Sequence, residues 1–172
     1  MEYVGIILAK KHSERLPNKN FLKIGNQSVY KYAEKAIFDI NHIPVYVFSD
    51  DELINNRPPG ACLPDEPIFS ALKWAYKSLP KRYDAIINIM ANCPMISSND
   101  VKRAVKRFER LGCEELRSFN SDGSESGLMI LKESYLLNKH EISTYQGAIT
   151  IESKEIHTKK DFELCQRTLL QK

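Results

Sequence analysis

Apolar positions along this chain change period several times, and each change predicts a new element. Three stretches are continuous apolar runs of strand length: YVGIILA at 3–9, the β-branched and aromatic IPVYVFSD at 43–50, and DAIINIM at 84–90. Between them the spacing becomes helical. In SVYKYAEKAIFDI (28–40), Val29, Tyr32, Ala33, Ala36, Ile37 and Ile40 share one face, and in EPIFSALKWAYKSL (66–79) Ile68, Leu72, Ala75 and Leu79 do so. SNDVKRAVKRFERLG (98–112) predicts a third helix, capped at Ser98 or Asn99 and stopped by Gly112. Further on, GLMILKE (127–133) and GAITIE (147–152) read as strands, FNSDGSESG (119–127) as a polar turn or loop, and KKDFELCQRTLLQK as a helix with Phe162, Cys165 and Leu169 inward.

Strands alternating with helices predict an α/β sandwich with a mainly parallel sheet. Such sheets bind ligands beyond the carboxyl ends of their strands. That rule singles out the loops at 8–20, 49–66 and 91–98. Repeats and low-complexity linkers are absent, so residues 1–172 read as a single domain.

Composition narrows the functional classes. With 42% hydrophobic residues, 27% charged residues and a net charge of +3, the chain has an ordinary globular balance and lacks the charge of a nucleic-acid binder. The helix KRAVKRFER has one apolar stripe (Val101, Ala104, Val105, Phe108) and reads as a solvated basic face. Cys62, Cys93, Cys113 and Cys165 follow no zinc or disulfide spacing. The N-terminus lacks the pattern of a signal peptide, and no apolar stretch approaches the ~20 residues of a membrane span. These features predict a cytoplasmic protein with reduced thiols and no nucleic-acid or membrane partner.

The unusual segment is ILAKKHSERLPNKNF (7–21), which leaves the first strand and at once carries Lys10, Lys11, Arg15 and Lys19. At the ligand edge of a parallel sheet these cations, with Ser13 and backbone amides, would converge on phosphate oxygens. Neither a Walker loop nor a GxGxxG fingerprint is present. His12 reads as exposed, Asp50 as a structural turn residue, Trp74 as packing, and Cys93, with no paired histidine evident, as packing or pocket lining.

This segment also resembles the opening of the sugar-acid cytidylyltransferases, the CMP-sialate and CMP-KDO synthetases, whose pattern is roughly IPAR-x-x-S-x-R-(L/I)-P-x-K-N. Ala9, Ser13, Arg15, Leu16, Pro17, Lys19 and Asn20 match in order and spacing, with Lys10 in place of the usual arginine. VYVFSDDELI (45–54), RPPGACLPDEPIFSALKWA (57–75), YDAIINIMANCPMISSNDVKRAV (83–105) and KEIHTKKDFELCQ (154–166) are similar to later motifs of the same family, in the same order.

The resemblance implies a three-layer, Rossmann-like (GT-A-like) nucleotidyltransferase fold with a mainly parallel mixed sheet. It also implies attack by an oxygen of a sugar acid on the α-phosphorus of CTP, with pyrophosphate leaving, for surface polysaccharide or glycoconjugate synthesis. It assigns nucleotide contacts to Leu8, Ala9, Lys10, Ser13, Arg15, Lys19, Asn20, Arg57, Asp65 and Asn92: Lys10, Ser13, Arg15 and Lys19 on the triphosphate, Arg57 and Asp65 near the base pocket, and Lys10, Arg15 and Lys19 as the catalytic cations. It implies a divalent cation, Mg²⁺ in the family, at the position of a D-x-D that here reads Glu155–Ile156–His157. The carboxylate survives at Glu155, whereas the nitrogen of His157 suits Mn²⁺ or another transition metal better than Mg²⁺. The interval in which relatives carry an acceptor and dimerisation insertion is reduced to residues 112–150, so the family's dimer is left open. The readings that remain are an active cytidylyltransferase, a catalytically degenerate nucleotide-binding relative acting as regulator or assembly partner, and an unrelated α/β module, against which the retained S-x-R-L-P-x-K-N argues.

Overall fold

The computed structural model describes residues 1–50, 67–138 and 145–171. A six-stranded sheet forms its centre, in the order β4-β1-β5-β7-β6-β8. Its strands are β1 (Tyr3–Leu8), β4 (Val45–Phe48), β5 (Ala85–Ile89), β6 (Glu115–Phe119), β7 (Glu125–Lys132) and β8 (Gln146–Thr150). Strand β1 pairs in parallel with both β4 and β5, β8 pairs in parallel with β6, and β7 runs antiparallel between β5 and β6. The sheet is therefore mainly parallel, with one reversed strand. A small hairpin of β2 (Lys23–Ile24) and β3 (Gln27–Ser28) stands apart from it.

Helices cover both faces because β1 and β5 are apolar on both sides. On one face, Tyr3 and Ile7 of β1 and Ala85, Ile87 and Ile89 of β5 pack against Ala33 and Ile37 of α1 (Val29–Phe38) and Val101, Ala104 and Phe108 of α3 (Ser98–Leu111). On the other, Val4, Ile6 and Ile86 meet Leu72, Ala75 and Tyr76 of α2 (Ile68–Lys77) and Tyr135 and Leu136 of α4 (Glu133–Asn138). The last helix, α5 (Lys159–Leu170), buries Cys165 beside Ile24, Val29 and Ile156. No helix among the described residues is long and apolar enough to cross a membrane.

Several elements differ from the sequence expectation. Helix α3 is capped by Ser97, not by Ser98 or Asn99, through a reciprocal box with Asp100. Tyr30, not Tyr32, lies on the buried face of α1. Strand β6 has no counterpart in the apolar pattern, and β7 begins at Glu125, inside the stretch read as a polar loop.

A second capping box starts α5. Asp161 accepts from the Thr158 hydroxyl at 2.8 Å and amide at 2.9 Å and from the His157 amide at 3.2 Å. Burial pushes its carboxyl up, but the Thr158 and His157 bonds and Lys154 outweigh this and hold it at about 2. Asp161→Ala is expected to cost about 1 kcal/mol, lowering Tm by about 2–4 °C. A carboxyl depressed in the folded state stabilises above its unfolded range, and that stability is lost as pH falls from about 4 towards about 2. Thermal melts of the two proteins should therefore converge over that window.

Candidate functional site

The carboxyl ends of β1 and β5 and the segment after β8 meet at one edge of the sheet. The parallel ladder runs one residue past β1, with the Ala9 amide donating to the Phe48 carbonyl at 2.8 Å. The chain then enters the basic loop, turns at Asn18 in the left-handed region (φ 55°) and closes with a single 3-10 turn at Lys19–Phe21. Two side chains fix this loop. Asn20, only 4% exposed, donates its Nδ2 to the Lys10 carbonyl at 2.8 Å. Asp50, just past β4, accepts from the Lys11 amide and pairs with His12 Nδ1 at 3.0 Å. Burial raises the Asp50 carboxyl, but the His12 and backbone bonds dominate and depress it. Asp50 is thus structural, as the sequence suggested, and its specific work is to hold the basic loop against the end of β4.

The turn after β5 is fixed in the same manner. Met90 donates its amide to the Gly127 carbonyl at 2.8 Å, and Cys93 donates to the Met90 carbonyl at 2.9 Å. Asn92 grips the segment after β8 twice, its carbonyl accepting from the Ile156 amide at 2.9 Å and its Nδ2 donating to the Ile156 carbonyl at 3.2 Å. Ile156 is buried, whereas its neighbours Glu155 and His157 are half-buried and touch each other through Oε2 and Nε2. Lys19 is brought under the influence of Glu155: burial lowers its ammonium, Glu155 opposes this, and Arg15 adds to the lowering.

Between these elements lies a cleft of about 280 Å³. The loop and turn contribute Lys10, His12, Ser13, Lys19, Asn20, Met90, Ala91 and Asn92, and the strands and α2 contribute Leu8, Ile68, Ala71 and Asn88. Of the residues singled out from sequence, Leu8, Lys10, Ser13, Lys19, Asn20 and Asn92 line it. Ala9 is fully buried, and Arg15 is exposed and outside the lining, acting on Lys19 from a distance. Arg57 and Asp65 lie outside the described residues. His12 stands at the rim with its side chain 90% exposed. Cys93 lines nothing: it is fully buried against Gly127, and burial pushes its thiol far up, away from any nucleophilic role. Asn88 and α2's Ile68 and Ala71 were not singled out as site residues, because a mid-strand asparagine and two ordinary apolar helix residues carry no motif.

Two lysines, a serine and three asparagine amides in one cleft suit a phosphorylated ligand, by charge neutralisation and positioning rather than by a covalent intermediate. Among the described residues no group of three or more His, Cys, Asp or Glu side chains could hold a metal ion by itself. Glu155 with His157 is a two-donor set, which fits a cation whose remaining ligands are phosphate oxygens and water.

A family model described as Cytidylyltransferase matches residues 4–163. No curated protein matches the sequence at a significant level. Solved structures share the fold at low identity. A CMP:2-keto-3-deoxy-manno-octonic acid synthetase complexed with CTP superposes with a TM-score of 0.79 at 14% identity, covering 99% of this chain and 99% of that one. The 4-diphosphocytidyl-2C-methyl-D-erythritol synthase of Anaerococcus prevotii gives 0.67 at 9% identity, covering 98% of each chain. A Mycobacterium tuberculosis protein in complex with manganese gives 0.62 at 13% identity, covering 98% of this chain and 100% of that one.

Proposed function

Since the chain belongs to the cytidylyltransferase family, we propose that it is an active enzyme that transfers CMP from CTP to a sugar acid. An acceptor oxygen attacks the α-phosphorus, the bond to the β-phosphate breaks, and pyrophosphate departs while the acceptor's proton passes to solvent. The observation that carries this reading is the convergence of Lys10 and Lys19 on the cleft at the carboxyl ends of β1 and β5. Both would neutralise charge that builds on the departing phosphates. Asn20 and Asn92 keep the two loops that carry this chemistry in fixed positions.

A divalent cation arriving with the triphosphate would be held by Glu155, with His157 as the adjacent nitrogen donor. When bound it would neutralise phosphate charge. The sugar-acid acceptor rests on the motif resemblance and on the synthetase that shares the fold. A methyl-erythritol phosphate, whose phosphate oxygen would attack, is the competing acceptor class, after the second enzyme of like fold. One observation favours a different reading, nucleotide binding without turnover: Glu155 is already engaged by His157.

Calorimetric titration with CTP, ATP, GTP and UTP, in Mg²⁺, Mn²⁺ or EDTA, separates these cases when joined to pyrophosphate release with sugar acids and methyl-erythritol phosphates. CTP-selective, metal-dependent binding with release only in the presence of sugar acids is the expected outcome. Binding without release from any acceptor assigns the chain to the degenerate class, and absence of nucleotide binding overturns both readings.

A further inference from the structure

Strand β5 reads Ala-Ile-Ile-Asn-Ile, and its side chains are buried on both faces of the sheet. Asn88 is the only polar one and is 1% exposed. An asparagine here is costly unless its amide is satisfied, because a buried unpaired acceptor forfeits its hydration. Half of that amide is accounted for: Nδ2 donates to the Ile6 carbonyl of β1 at 2.8 Å. This bond sets the orientation of the group, and the other half, Oδ1, is buried with no partner among the described residues. Asn88 also lines the cleft. Its missing partner is therefore sought in what the cleft binds.

The surroundings of Asn88 indicate which part of a nucleotide that is. Leu8, Ile68 and Ala71 belong to the apolar cluster packed on the α2 face of the sheet, and they line the cleft with it. The cations, in contrast, come from the basic loop. Asn20 Oδ1 also has no partner among the described residues, but its amide is tied to the Lys10 carbonyl within the basic loop, on the cationic side of the cleft. An aliphatic wall suits the face of a base, and an acceptor set among aliphatic groups calls for a donor on the base edge. Cytosine presents an exocyclic amine there, where uracil presents a carbonyl oxygen that would oppose Oδ1.

We propose that Asn88 is the base-selecting residue, its side-chain carbonyl accepting a hydrogen bond from the exocyclic amine of cytosine at the apolar part of the cleft. The inference rests on the reading of the cleft as a CTP site.

The test compares three ligands by equilibrium titration: CTP, UTP, and the pyrimidin-2-one nucleoside triphosphate that lacks the amine. The wild-type protein is expected to bind UTP and the amine-free analogue about 10- to 100-fold more weakly than CTP. In Asn88→Val all three should bind within about threefold of one another, near the wild-type level for the amine-free analogue. Asn88→Val also removes the Nδ2 bond to the Ile6 carbonyl, so its Tm is expected to fall by a few degrees. A purely structural asparagine would show the same loss of Tm but leave the ligand ratios unchanged. Asn88→Ala repeats the comparison if the valine does not fold, and failure of both to fold assigns Asn88 to the core and overturns the inference. Unchanged ratios in a folded variant, or an analogue that binds wild type as tightly as CTP, also overturn it while leaving the CTP site standing. Absence of nucleotide binding by the wild type overturns the site itself.

Discussion

Lys19→Ala is expected to weaken CTP binding about 10- to 100-fold, the loss associated with one charge-assisted contact to a phosphate. The side chain sits in the cleft on a rigid 3-10 turn, and it is half-buried, so its charge acts through less water than a surface lysine's would. Its pH dependence distinguishes it from a residue that merely shapes the loop. Burial lowers the ammonium in the free protein, against the opposing pull of Glu155. A bound triphosphate favours the charged form and raises it again. Between the free and bound values binding takes up a proton, so affinity falls as pH rises through the lowered free-state range. Titrations from pH 7 to pH 10 should show this alkaline loss in wild type. Lys19→Arg, which stays charged, should retain affinity at neutral pH while shedding most of the alkaline loss. An affinity unchanged by alanine would remove Lys19 from the phosphate site.

What could be read from the sequence, and what could not, follows from where each residue finds its partners. Strands β1 and β5 announce themselves because burial on both faces forces unbroken apolar runs. Strand β6 was invisible because its first residue is Glu115, a carboxylate that is fully buried yet satisfied by Arg117, by Tyr135 of α4 and by Gln146 of β8. Those partners lie up to 31 residues away, beyond any local pattern. Ser126 was read as loop polarity for the same reason. It is buried, and its hydroxyl donates to Ser118 on β6 at 2.7 Å.

The site divides along the same line. The basic loop is conspicuous because its four cations fall within residues 10–19, whereas Asp50, its anchor, is 38 residues from His12 in sequence, and the Asn92 clamp on Ile156 spans 64. That clamp also brings the 155–157 stretch beside the turn that carries Asn92, although no strand carries it there. With the Thr158–Asp161 box just behind it, Asn92 holds Glu155 and His157 next to that turn. Asn88 was the least legible of all, since one polar letter in an apolar run gives no indication of which half of its amide lacks a partner.

Among the described glycines, Gly127→Ala is expected to be the most damaging substitution. The residue holds φ at 94°, a backbone region that side chains other than glycine enter at a cost of about 1–3 kcal/mol. A Cβ built there would stand 2.5 Å from Cys93 Sγ and 3.3 Å from Cys93 Cβ, and Cys93 is fully buried, with no room to retreat. Overpacking of this kind adds about 1–3 kcal/mol. The two together come to about 2–6 kcal/mol against a usual total of about 5–15 kcal/mol, and denaturant unfolding should register most of it. Cys93→Ala relieves the steric part and leaves the backbone part. The double variant should therefore be more stable than the sum of the two single losses predicts, by about 1–3 kcal/mol. The damage should also reach the cleft, because the Gly127 carbonyl holds the Met90 amide at the start of the turn that carries Asn92. Weakened CTP binding is expected in whatever folded Gly127→Ala protein survives, with partial recovery in the double variant. A single variant that unfolds within 1 kcal/mol of wild type would show that β7 can shift away from the turn, and would remove this close approach as the constraint that positions Asn92.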